Sequence, residues 1–160
     1  MKIIRNLTVT ALAALAVALL FLTQLTRAEE NGRGERGDRD HRDRTSTFTK
    51  WVTTYPNMAG VVGGAVGDGA YAGEILKLTP GPITVIEALY HFNGSEHTFS
   101  ALVHVEAAGS NPGDMAVITG VVTEGWMKGH SVHGGYTVIT CDHDGVTTKC
   151  FEGRLEIEGE

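Results

Sequence analysis

The stretch ITVIEALYHFNGSEHTFSALVHVEA, residues 83–107, decides the fold of this chain. Its apolar residues recur at every second position, the period of a β-strand whose successive side chains point to opposite faces. One face carries Thr84, Ile86, Ala88, Tyr90 and Phe92, joined from the second half by Phe99, Ala101, Val103 and Val105. The other carries Glu87, His91, Glu96, Thr98, Ser100, His104 and Glu106, with Val85, Leu89 and Leu102 among them. Asn93-Gly94 lies between the halves, where a turn with positive φ is expected. The stretch is a β-hairpin with one face for a core and one for water.

The same grammar extends over the rest of the chain from Phe48. Short runs rich in Val, Ile, Thr and aromatics alternate with Gly, Pro, Asn and Asp, and no window holds an apolar stripe at helical period over three turns. Strands are expected near 58–66, 69–78, 83–92, 97–107, 115–123, 130–141 and 149–158, with an eighth near 48–54. In the last hairpin Tyr136, Val138, Phe151, Leu155 and Ile157 share an inner face, while Glu152, Arg154 and Glu156 point out. The fold class is therefore all-β, a small antiparallel closed barrel of about eight strands, since closure removes exposed edges. A β-sandwich is the alternative.

Most of the 21 glycines fall in two segments of similar outline, GVVGGAVGDGAYAGEIL (60–76) and GVVTEGWMKGHSVHGGYTVI (120–139). Glycines within strand patterns mark bulges, sharp bends or close backbone approach. Gly64-x-x-Gly67-x-Gly69 is not a dinucleotide fingerprint, and no Gly-Lys-Ser/Thr occurs, so nucleotide binding has no motif to rest on. The segment VITGVVTEGWMKGHSVHGGYTVI (117–139) resembles the allene oxide cyclase and dirigent-like barrel families and their bacterial barrel-cyclase relatives. Thr119-Gly120, Gly125-Trp126, Gly129 and Gly134 carry the match. The segment is longer between Thr119 and Gly125 than in those families, and has Trp126 where the plant proteins usually carry Phe. The resemblance implies a calycin-like eight-stranded barrel with an apolar lumen. It implies shape-guided cyclisation of a reactive hydrophobic substrate, without metal or nucleotide, or guided coupling of phenolic radicals. No family catalytic residue matches a position here.

The N-terminal residues 1–28 read as a signal peptide: Lys2 and Arg5, an apolar run from Leu7 to Leu22, then Thr26 and Ala28 before the cut. That run is shorter than the ~20 residues that span a bilayer, so no stable membrane span is expected after cleavage. Residues 29–47, EENGRGERGDRDHRDRTST, lack aliphatic and aromatic side chains and read as a disordered mixed-charge linker; the barrel domain is 48–160. The Arg36-Gly37-Asp38 tripeptide is a chance match in such a composition. Beyond residue 28 there remain 10 basic against 19 acidic residues, about −9, which disfavours nucleic acid as a partner. An exported chain with two cysteines, Cys141 and Cys150, is expected to join them in one disulfide, and to be secreted or periplasmic.

Candidate chemistry is sparse. His91, His97, His104, His130, His133 and His143 show no convergent ligand spacing, and Asp142-His143-Asp144-Gly145 lacks the later ligands of a calcium loop. No metal and no cofactor are expected. Glu74 and Glu87 sit within apolar strands and are the catalytic candidates, as carboxylates whose pKa desolvation would raise. Tyr71, Tyr90, Phe92, Phe99, Trp126 and Tyr136 are the ligand-binding candidates. Two functions stay open. One is an exported barrel that binds a small hydrophobic molecule and guides its cyclisation or isomerisation by shape, as a cofactor-free enzyme or as a carrier. The other is a structural or interaction module, its barrel filled by its own side chains and acting through its surface or as a homo-oligomer. An open lumen separates them, and an ionisable group at its floor favours the enzyme.

Overall fold

The computed structural model describes residues 44–143 and 145–159. The expected signal peptide and most of the linker lie outside these residues. Eight strands follow one another: β1 (Thr45–Val52), β2 (Asn57–Gly64), β3 (Gly69–Thr79), β4 (Thr84–Gly94), β5 (Thr98–Ala107), β6 (Met115–Gly125), β7 (Ser131–His143) and β8 (Val146–Ile157). Each pairs antiparallel with the next, and β1 pairs with β8, so the sheet closes into a barrel. That last pairing, Lys50 opposite Phe151 and Thr45 opposite Glu156, excludes the sandwich. The eighth strand is real but lies earlier than expected, so Thr45–Thr47 belong to the barrel rather than to the linker.

The hairpin of 83–107 folds as its alternation requires. Ala88, Tyr90, Phe92, Phe99, Ala101, Val103 and Val105 are all buried, while Glu87, His104 and Glu106 are exposed. Phe92 and Phe99 face each other across the pair and stack, ring centroids 4.6 Å apart at 7°. Full burial of such a side chain is worth about 1.5–3 kcal/mol, and the ring pair about 0.5–1.5 kcal/mol more. The turn differs from expectation. Strand pairing runs past Asn93, and Gly94 does not take a positive φ. Gly94 is there for space: a Cβ would overlap the carbonyl of Val66, which accepts from Glu96 and His97 and ties this turn to the β2–β3 turn.

The glycine segments resolve into turns more than bulges. Gly64 and Gly67 lead out of β2, and Gly125 and Gly129 flank the β6–β7 connection, all with positive φ. The register shifts in the same segments fall at non-glycine residues, between Ile75 and Lys77 in β3 and at Thr123 in β6, the latter closed by Thr123 Oγ1 donating to Ser100 O. An extra residue in one strand of a pair bends and twists it locally, which a small barrel needs.

Cys141 and Cys150 form a disulfide between β7 and β8, Cα atoms 5.9 Å apart. Past Cys141, β7 runs on to His143, which lies opposite Val146 at the start of β8. Closing so short a loop removes about 2–3 kcal/mol of chain entropy from the unfolded state. A Cys141→Ala/Cys150→Ala variant should lose that amount in urea unfolding while keeping its β-sheet circular dichroism; an unchanged midpoint would show that strand pairing alone fixes this hairpin.

Candidate functional site

In β1, TSTFTKWV, the burial of Phe48 sets the parity. Ser46 and Lys50 then point inward with it, and Trp51 is half-buried on the other side. A closed barrel offers a lysine at this position nowhere else to go. Gly60, its partner in β2, leaves no side chain to compete for the space. Lys50 is 2% exposed, and its Nζ donates to the hydroxyl of Tyr90. The amine lies 3.8 Å from the Tyr90 ring centroid, 5.0 Å from Tyr136, 5.2 Å from Phe48 and 5.6 Å from Tyr71. These rings form one cluster, with Tyr71 and Tyr90 edge to face at 5.3 Å.

No carboxylate among the described residues forms an ion pair with Lys50. The aromatic faces attract an ammonium with ~0.5–2 kcal/mol each at best. Taking an unpaired ion out of water costs several kcal/mol even after relaxation (about 20 kcal/mol in the idealised limit). Burial wins, and the Lys50 amine is held well below its usual 10.5. The same burial pushes the Tyr71 and Tyr90 phenols up, and that of Tyr136 up to about 12. The cluster therefore favours a neutral amine among neutral phenols.

A cavity of about 270 Å³ adjoins this cluster, lined by Val52, Met58, Ile75, Leu78, Ile86, Ala88, Ala107 and Phe151 as well as Lys50, Tyr90 and Tyr136. It occupies the barrel end where the β1–β2, β3–β4 and β5–β6 connections gather, and Gly109 and Ser110 of the last line it too. Lys50, Tyr90 and Tyr136 stand further from that end along their strands than Val52, Thr84 or Phe151, so they form the floor. The exposed Tyr55 and Ile83 belong to the connections at the same end. Beyond Tyr90 the barrel is solid: Val66, Phe92, Phe99 and Val122 are buried, and Trp126 stacks on His97 at 4.2 Å. A larger depression of about 700 Å³ lies against β6, β7 and β8, bordered by exposed Met115, Val117, His133 and Glu152. It is an open surface hollow that shares Tyr136 with the cavity.

Of the six ligand candidates, Tyr90 and Tyr136 line the cavity. Tyr71 packs behind Tyr90, and Phe92 and Phe99 fill the closed half. Trp126 is half-buried at the far end, because the β6–β7 turn carries it past the last core layer. Glu74 and Glu87 are exposed, their parity placing them outside, with Glu87 3.8 Å from Lys77. His97 stacks on Trp126. His91 bonds Ser100 at 2.8 Å; His133 lies 3.5 Å from Glu156 and 3.4 Å from Glu158, and His130 donates to the Glu158 carbonyl at 2.9 Å. Among the described residues no group of three or more His, Cys, Asp or Glu could hold a metal ion. Lys50 is the residue that sequence reasoning missed, although two-residue counting from Phe48 would have found it. Comparison of the chain with known proteins finds no matching family model, no matching curated protein and no matching solved structure.

The buried amine makes stability depend on pH. Between its depressed pKa and about 10.4 the unfolded chain holds a proton on Lys50 that the folded chain lacks, so stability rises with pH across that window. Lys50→Met should be more stable than wild type at about pH 7, with its advantage shrinking towards about pH 9.5. Urea titrations of both proteins over that range test this; parallel pH profiles would show that Lys50 stays charged in the fold.

Proposed function

We propose that the barrel binds a small hydrophobic molecule in its open half. The observation carrying this reading is the cavity of about 270 Å³, apolar along its walls and ending on Lys50, Tyr90 and Tyr136. Ligand pockets usually run from ~300 to ~1,000 Å³, so the occupant is small, and a few convergent polar groups in an apolar pocket are what fix its orientation. The ionisable floor favours chemistry over passive carriage, in keeping with a cyclase- or isomerase-like role of the allene oxide cyclase and dirigent-like kind. The reading of a barrel filled by its own side chains fits only the half beyond Tyr90. The disulfide and the signal-peptide pattern of residues 1–28 support an oxidising, extracytoplasmic setting.

Native mass spectrometry of protein purified from its own host should show a retained small lipophilic molecule. In vitro, calorimetric titration should detect binding of 1-hexanol. Ala107→Phe, which fills the cavity from its wall, should weaken that binding by about tenfold or more (1.4 kcal/mol) without unfolding the barrel. Equal binding by the variant would place the ligand elsewhere.

A further inference from the structure

Four lysines follow the signal-peptide segment. Lys77, Lys128 and Lys149 are exposed, and Lys50 is buried with its amine among aromatic rings at the cavity floor. An ordinary lysine near pH 7 is a free amine in only about one molecule in 2,500, which keeps it a poor nucleophile. The surroundings of Lys50 work against this handicap: its amine lies among aromatic rings beside an apolar cavity, with no carboxylate paired to it among the described residues, which favours the form with a lone pair. A hydroxyl that can pass protons is already in place, because Tyr90 is hydrogen-bonded to Nζ.

We propose that Lys50 is an imine-forming amine that captures the carbonyl carbon of a small apolar aldehyde or ketone bound in the cavity. This rests on the reading of the cavity as a site for a small hydrophobic molecule and names the chemical class of that molecule. The Nζ lone pair attacks the carbonyl carbon, and the C=O π pair moves onto oxygen. A proton leaves nitrogen and one reaches that oxygen, with the Tyr90 hydroxyl as the relay, giving a carbinolamine. Loss of the hydroxyl with a second proton releases one water and forms the C=N bond, so amine plus carbonyl becomes imine plus water. No oxidant or reductant is involved. Addition of a proton to the imine nitrogen gives an iminium, which withdraws electrons from the adjacent carbon more strongly than the carbonyl it replaces, an activation that isomerisation or ring closure can use. The apolar walls, Ile75, Ile86, Ala88 and Phe151, suit an aliphatic or aromatic remainder.

The test uses the mature chain, hexanal as the probe and cyanoborohydride to reduce any imine to a stable secondary amine, read by intact mass and peptide mapping. Lys50 should be alkylated at least about tenfold faster than Lys77, Lys128 or Lys149, and 1-hexanol should protect it. Lys50→Met should lose this adduct while the exposed lysines are modified as before; protection in the wild type carries the test if that variant does not fold. Tyr90→Phe should slow trapping at Lys50 by about 10²-fold while trapping at the exposed lysines is unchanged. If 1-hexanol binds but hexanal modifies only the exposed lysines, the imine chemistry is overturned and the cavity reading stands. Binding of hexanoate through Lys50 with no carbonyl adduct would overturn it equally, for Lys50 would then be a charge partner. If neither 1-hexanol nor hexanal engages the cavity, both readings fall.

Discussion

An amine enclosed by aromatic rings, with no carboxylate among the described residues paired to it, is the constraint around which the inner barrel is arranged. Lys50 reaches Tyr90, while Phe48, Tyr71 and Tyr136 surround its nitrogen. The tyrosine hydroxyl gives the nitrogen one polar partner, and the ring faces give it a weakly negative environment. Neither replaces the hydration of a full charge. A polar group left at that depth without function would be a liability that a leucine or methionine would remove. Its position at the end of an apolar cavity is what the proposed chemistry would use.

The two halves of the lumen divide the work. Beyond Tyr90 the stacked pair Phe92–Phe99 and the cap of His97 on Trp126 make a conventional core that fixes the register of β4, β5 and the β6–β7 turn. Towards the other end the wall residues include the small Ala88 and Ala107, and space remains. A rigid half supports the open one. The floor residues come from β1, β4 and β7, three separate parts of the chain, so their positions depend on the whole closed sheet rather than on any single hairpin.

Where one face of a strand is strongly apolar, the sequence was legible. Residues 83–107 announced their faces through Ile86, Tyr90, Phe99 and Val103, and the last hairpin did so through Tyr136, Val138, Leu155 and Ile157. β1 was harder, because Lys50 and Trp51 contradict ordinary preference: the charged residue is inside and the indole is half-buried on the other side. Parity in a closed sheet overrides the hydrophobicity of a single residue, but only once the strand is known and its register fixed by pairing to β2 and β8. Glu74 and Glu87 lie within apolar strands, yet both occupy outward, exposed positions. Trp126 was misplaced for a different reason. Composition does not say where a strand yields to its turn, and the left-handed Gly125 ends β6 one residue before it.

Since β1 bonds to β8, the first strand of the barrel waits for the last. Until the twelve residues of β8 arrive, the growing sheet has two raw edges and its lumen stays open along one side. The cysteine bridge joins β7 to that closing strand, so neither sulfur has its native neighbour before the seam is being made. Oxidation of this pair is thus a chemical record of completion. Chains that stop before Cys150 would carry a free thiol at Cys141 and could be told apart from finished barrels by that alone.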